Sequence, residues 1–235
     1  MAAYVAVLCS CSRAGDNVLL EKLDNVLGQK ETYQGYFRDR MQVLKDVLSE
    51  QNDLEQIYGI NRRIAQGYSA HSFDSTLVYL QKNRRIAQQL GDSLKIMDTD
   101  FQLVKSYVMA GYSVEAGDIL NRYDGRTVPL QMLREYYDAS HVWWGEIMAY
   151  TSKGISADEK WKQRNSFRDL LLSVTEEGTF EWYDLKREEA ESEGNMQAAR
   201  SYAVKMMEQT QENTRDYAKA CYFYADSFKG TDGHE

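Results

Sequence analysis

Apolar residues recur along this chain at spacings of three and four, the period that gathers them on one side of an α-helix. The clearest run spans Asp74 to Tyr123. Leu94, Met97, Phe101, Val104 and Val108 form one stripe, which stops at Gly111, and Ala116, Ile119, Leu120 and Tyr123 open another. Gly111 supplies the tight turn and Ala116 the small surface where two helices cross, so Val108 to Ala116 reads as the bend of a helical hairpin. The pattern recurs at Gly194, with Ala199 again five residues on and Ala203 and Met206 continuing the stripe. A hairpin that repeats predicts a solenoid, an architecture that usually binds partners rather than transforming substrates.

The same periodicity predicts the remaining elements. Asn17 to Leu27 carries Leu19, Leu20, Leu23, Val26 and Leu27 inward, with Gly28 as its C-cap. A second stripe runs from Tyr33 to Leu48 nearly in phase with the first, so one long helix is the alternative to a break at Gly28. Leu54 to Tyr68 opens the first hairpin, and Asp74 is expected to cap its second helix, which ends at Gly91-Asp92. Pro129 suits the first turn of an aromatic-rich helix reaching Thr151, broken at Lys153-Gly154. Ser156 caps the next helix, which runs past Phe167 to Val174. Phe180 to Ala190 and Met196 to Gln209 form a fourth hairpin, and Asn213 to Phe228 is a terminal helix without a successor. The fold predicted is all-α, a right-handed α-solenoid of about four TPR-like hairpins plus that helix. Its terminal helix either caps the stack or continues into further chain. Three segments follow: a leader remnant over 1–15, a single solenoid domain over 16–228 and a disordered tail over 229–235.

Composition narrows the function. The 235 residues include a single Pro, 43% hydrophobic and 27% charged residues, and 17 Tyr, whose rings pack while their hydroxyls stay wet. A net charge of −8 argues against nucleic-acid binding, which needs a basic stripe. The pairs Arg62-Arg63 and Arg84-Arg85 are too short for that and read as solvated helix faces. Residues 1–15 are apolar and then abruptly polar, as at the end of a secretory leader, and Leu8-Cys9-Ser10-Cys11 resembles a lipobox with Cys11 as the lipidation candidate. Export to the periplasm, with membrane anchoring through the N-terminus or through parts beyond this chain, is the expectation. A simply cleaved leader or a frayed cytosolic N-terminus is the alternative.

No catalytic, metal or cofactor constellation emerges. His71, His141 and His234 are far apart, no paired-Cys, HExxH or Gly-rich phosphate motif occurs, and Cys221 sits in an aromatic stripe as a small hydrophobe. Glu188, Glu189, Glu191 and Glu193 read as a solvated face. The expectation is a protein that is not an enzyme and holds no cofactor.

The hairpins resemble the tetratricopeptide repeat (TPR). Leu103 and Tyr107 fall where that repeat has its Leu and Tyr, followed by Gly111, Ala116 and Leu120, while the fourth hairpin keeps Gly194 and Ala199 but has Lys186 and Ala190 at the earlier positions. Gly111 and Gly194 lie 83 residues apart, so the hairpin between them must have longer helices than the standard 34-residue unit. A narrower resemblance rests on Leu23-Asp24-Asn25-Val26-Leu27, on Lys30 with Tyr33, and on Arg40 with Leu44-Lys45. It continues through Ile57-Tyr58, Asn61, Ile64-Ala65 and Tyr68 into Phe73-Asp74-Ser75, Leu77, Tyr79, Lys82-Asn83, Ile86-Ala87, Leu90 and Asp92. Over about Asn17 to Phe228 the chain is similar to the TPR-like N-terminal sensor region of Bacteroidetes membrane-anchored transcription regulators, a family of unknown function. That resemblance implies an exported leader before the repeats, and a transmembrane helix, coiled coil and DNA-binding region after them, parts expected beyond these 235 residues. It carries no catalytic residues.

The function expected is an exported TPR-like module that binds a protein or peptide, as the extracytoplasmic sensing or scaffolding part of a membrane-anchored regulator. In TPR-type repeats the first helix of each hairpin lines the groove, which here implies Arg62 and Gln66, then Asp98, Gln102 and Lys105, then Asp184 and Glu188. The alternative is a lipid-anchored helical glycan-binding protein of outer-membrane nutrient uptake, motivated by Trp143, Trp144 and Trp161.

Overall fold

The computed structural model describes residues 21, 24–150, 156–212 and 214–228. The leader with Cys11, most of the helix expected before Gly28, the break at Lys153-Gly154 and the tail over 229–235 lie outside them. Among the described residues the chain is built of helices with no strand. In order these are α1 (Lys30–Ser49), α2 (Leu54–Tyr68), α3 (Phe73–Leu90), α4 (Ser93–Met109), α5 (Ser113–Leu120), a 3-10 turn (Leu130–Met132), α6 (Leu133–Tyr150), α7 (Ala157–Ser173), α8 (Phe180–Ser192), α9 (Met196–Glu208) and α10 (Arg215–Asp226). Hairpins form from α2 with α3, α4 with α5, α6 with α7, and α8 with α9, and α10 packs on α9. Over the described residues the chain is thus an all-α solenoid in which α1 packs on α2, four hairpins follow and α10 is the terminal helix.

Four described glycines take left-handed backbone at bends, Gly178 between α7 and α8 among them, and the other three share one closure. Gly91, Gly111 and Gly194 have φ of 66°, 81° and 74°, the left-handed region where a side chain is strained. At each, the next residue's N–H donates to a carbonyl five residues back: Asp92 to Ala87 at 3.1 Å, Tyr112 to Tyr107 at 2.9 Å and Asn195 to Ala190 at 2.8 Å. This is the Schellman closure, which satisfies carbonyls that a helix end otherwise strands. After two of these bends the same dipeptide also starts the next helix. The Asp92 carboxylate accepts from the N–H groups of Leu94 and Lys95, and Asn195 accepts from that of Ala198.

Other caps follow expectation or shift by a residue or two. Ser156 accepts from Glu159 N–H, as its position predicted. Asp74 is not the cap of α3; Ser72 holds that role, accepting from Ser75 N–H, and Asp74 falls in the first turn. A Ser with extended backbone before Phe73 meets the cap's requirements, and an acid one turn further in complements the helix dipole instead. Gly28 is not a left-handed cap, since helical residues 24–28 run into a turn at Gln29 before α1 begins. The helix carrying Ala116, Ile119 and Leu120 ends at Leu120, short of Tyr123, and Pro129 precedes a 3-10 turn rather than α6 itself.

The long spacing between Gly111 and Gly194 has two sources. α6 and α7 have 18 and 17 residues, against 13 each in α8 and α9, and the connection after α5 runs from Asn121 through the 3-10 turn.

The core follows α4, which touches α3, α5 and α6. Phe101 and Val104 are buried there with Leu80, and Ala65, Ala87, Ala116 and Ala139 stand where helices approach closest. Burying a Leu, Val or Phe contributes about 1.5–3 kcal/mol each. A buried charge network ties the same region. Asp100, 1% exposed, accepts from Arg84 Nε at 2.6 Å on α3 and from the Tyr123 hydroxyl at 2.7 Å after α5, with Arg122 Nη1 3.9 Å away. Burial, and then the Asp100 carboxylate, push the Tyr123 phenol well above its usual range.

Candidate binding groove

The first helix of every hairpin carries polar residues at helical spacing on one side. On α2 these are Arg62 and Gln66, on α4 Asp98, Gln102 and Lys105, on α6 Arg134, Asp138 and His141, and on α8 Glu181, Asp184 and Glu188. Successive side chains three and four apart share a helix face, so stacking the hairpins sets four polar stripes side by side. Two adjoining cavities lie against them. The smaller, about 340 Å³, is walled by α2, α4 and α6 with Thr76 and Leu80 of α3, and Arg215 of α10 also reaches it. The larger, about 600 Å³, is walled by α4, α6, α7, α8 and α10. Lys105, Arg134 and Asp138 border both, so the two are one groove. Because Arg215 shares a cavity with Arg62, the row of helices curves until its last member faces its second.

All seven residues expected on this face line it. Arg62, Gln66, Asp98, Gln102 and Lys105 border the smaller cavity, and Lys105, Asp184 and Glu188 the larger. Most are tied to one another. Asp98 accepts from Arg62 Nε at 2.9 Å and Nη2 at 3.1 Å, from the Tyr58 hydroxyl at 2.9 Å and from Gln102 Nε2 at 2.8 Å. These bonds join α2 to α4, and the Asp98 hydrogen bond holds the Arg62 guanidinium above its ordinary pKa. Lys105 Nζ bridges to Asp138 at 2.8 Å and so joins α4 to α6.

The floor of the larger cavity is a buried charge cluster. Glu188 receives Arg164 Nη2 at 2.7 Å, and His141 Nε2 lies 3.2 Å from the same carboxylate oxygen, off the line of a hydrogen bond. Burial works to raise the Glu188 pKa. The neighbouring His141 and then the charges of Arg164 and Arg187 outweigh it, holding the carboxyl at about 2 against an ordinary 4.5. Asp184 pairs with Lys219 of α10 at 2.7 Å and with Arg187 at 2.6 Å, and the Arg187 guanidinium lies 3.5 Å from the Phe223 ring centre. These contacts dock α10 on α8.

Three sequence-based readings are corrected here. Glu188 is not on a solvated face; its side chain is 22% exposed and salt-bridged between helices. Arg62 and Arg84 are not free solvent-facing charges; each reaches an Asp of α4. Trp143 is a packing residue rather than part of an exposed platform. Trp143 donates from Nε1 to Ser113 O at 2.8 Å and lies against Gly117, where an added Cβ would fall 2.9 Å from its ring. Trp144 meets Trp143 edge-on, and Trp161 stands 46% exposed.

Sequence reasoning missed the stripe on α6. The third hairpin has no Gly–Ala hallmark, so no register was carried onto it, although Arg134, Asp138 and His141 sit four and three apart. The contributions of Arg164 and of α10 were hidden because they come from outside the first helices. Among the described residues no group of His, Cys, Asp and Glu could hold a metal ion, and no helix is long and apolar enough to cross a membrane.

Comparison with known proteins gives one family match: the family described as SusR N-terminal TPR domain matches residues 27–235. No curated protein matches the chain.

Proposed function

The chain belongs to the SusR N-terminal TPR domain family, a non-catalytic helical-repeat type that mediates protein interactions, and on that premise we propose that it binds a peptide or an extended protein segment along the groove. We place it outside the cytoplasm, as the sensing or scaffolding part of a membrane-anchored regulator. The observation that carries the binding reading is the continuity of the groove. Four first helices and α10 contribute polar side chains to two adjoining cavities. An extended segment of several residues fits such a trough and would meet amides and charges along its whole length, with main-chain groups satisfied by Gln66 and Gln102. The ion pairs across the groove hold its walls in place before binding, which lowers the ordering cost of the complex.

A photo-crosslinking amino acid placed at Gln66, on the groove, and separately at Gln89, exposed on α3, tests this in the full chain expressed in its own cell. Peptide or protein adducts that form at 66 and not at 89 support it. Equal labelling at both sites, or none at 66, contradicts it. Protease protection of the chain in intact cells tests the location separately: a chain digested only after the inner membrane is breached is cytoplasmic, and the extracytoplasmic placement is then lost.

A further inference from the structure

The charges that line the groove fall into two sets. Asp98, Lys105, Asp138, Asp184, Glu188 and Lys219 are consumed by ion pairs between helices. Arg134, Arg215, Glu181 and Asp216 are exposed and make no ion pair among the described residues. Glu135, only partly exposed in the smaller cavity, also lacks an ion pair among them, but the exposed four are not mixed at random. Both arginines border the smaller cavity, while the two acids border only the larger, and Arg134 stands at the junction. Arg215 and Asp216 are neighbours in the first turn of α10, so that turn presents a cation to one cavity and an anion to the other. The smaller cavity also holds a buried acceptor in want of a donor: Oε2 of Glu135 has no hydrogen-bond partner.

We propose that the groove reads the direction of its ligand, taking a peptide whose carboxylate-bearing end lies in the smaller cavity and whose cationic end lies in the larger. This rests on the peptide-binding reading above. Guanidinium groups match carboxylates in planar, two-point hydrogen bonds, which suits Arg134 and Arg215 to an acidic side chain or a chain terminus. A peptide N–H next to that carboxylate offers the donor that Glu135 Oε2 lacks. At the other end Glu181 and Asp216 suit a Lys or Arg side chain. A ligand laid in the opposite sense would set like charges against each other at both ends, so the arrangement discriminates by repulsion as well as attraction.

The test is selection of the full chain against a random dodecapeptide library, displayed once with free and once with amidated C-termini. The expected winners carry acid toward one end and base toward the other. Affinity of a winner should fall about tenfold in an R134E/R215E variant, the size expected of solvent-facing ion pairs reversed in sign, and likewise in an E181K/D216K variant. The fourfold variant should prefer peptides of reversed polarity. Loss on amidation assigns the acidic group to the chain terminus; retention assigns it to a side chain. All four residues lack internal partners among the described residues, so the variants should fold, with unchanged circular dichroism. Winners with no charge order, or affinities unmoved by both double variants, overturn the directional reading and leave peptide binding intact. A library with no binders overturns both.

Discussion

Replacing Asp100 by Ala isolates the buried charge network that joins α3 and α4 to the connection after α5. The carboxylate is 1% exposed and receives Arg84 at 2.6 Å and Tyr123 at 2.7 Å. Removing one partner of a buried ion pair costs about 3–5 kcal/mol when the other is left dry. Arg84 keeps 33% of its side chain exposed and recovers water, so the expected loss is lower, about 2–3 kcal/mol. For a chain of this length about 1 kcal/mol moves the melting temperature by about 2–4 °C, so the fall should be about 5–10 °C. The assay is a thermal melt followed by far-ultraviolet circular dichroism at neutral pH. Asp98→Ala is the internal comparison, because its Arg62 partner is 43% exposed and its loss should cost about 1 kcal/mol. The double variant R84A/D100A should lose less than the sum of the single losses, since both act through one contact. A D100A chain that melts within about 2 °C of wild type, or no lower than D98A, refutes the claim that this network holds the second hairpin to the first.

Two further predictions concern packing and pH. Gly117→Ala drives a methyl group to 2.9 Å from Trp143 Cζ2 and should cost about 1–3 kcal/mol, part of it recovered in the double variant with W143F; thermal melts that show neither effect remove Trp143 from the core. Glu188 has a folded-state pKa near 2 against 4.5, so its contribution is fully present above about pH 4.5 and is lost as pH falls toward 2. The shift corresponds to roughly 3 kcal/mol, so melts between pH 6 and 2.5 should show wild type losing more stability than E188Q, whereas parallel curves would contradict the burial of this ion cluster.

Much of the fold was legible because its signals are local. A Gly followed by a small residue five positions on marks a left-handed helix end and a close helix crossing, and both demands are met within a few residues at Gly111 and Gly194. Stripe spacing located the helices, and Ser156 was identified as a cap by its own chemistry. Failures came where a decision depends on distant partners. Ser72 and Asp74 are both acceptable caps in sequence, and Phe73 entering α3 decides between them. Arg62, Arg84 and Glu188 look like surface charges until α4 and α7 bring Asp98, Asp100 and Arg164 against them. Groove residues on α2, α4 and α8 could be named because those helices precede or contain a recognisable hallmark. Arg134 and Asp138 were missed because the longer third hairpin has none, and Arg215 because only the curvature of the whole row brings α10 to face α2.

Backbone amide chemical shifts of the full chain, titrated with a peptide selected from the dodecapeptide library, test the central claim most directly. The account predicts that the perturbed amides concentrate on α2, α4, α6, α8 and the first turn of α10. Perturbation centred on α3, α5, α7 and α9, or confined to one end of the row, would contradict it.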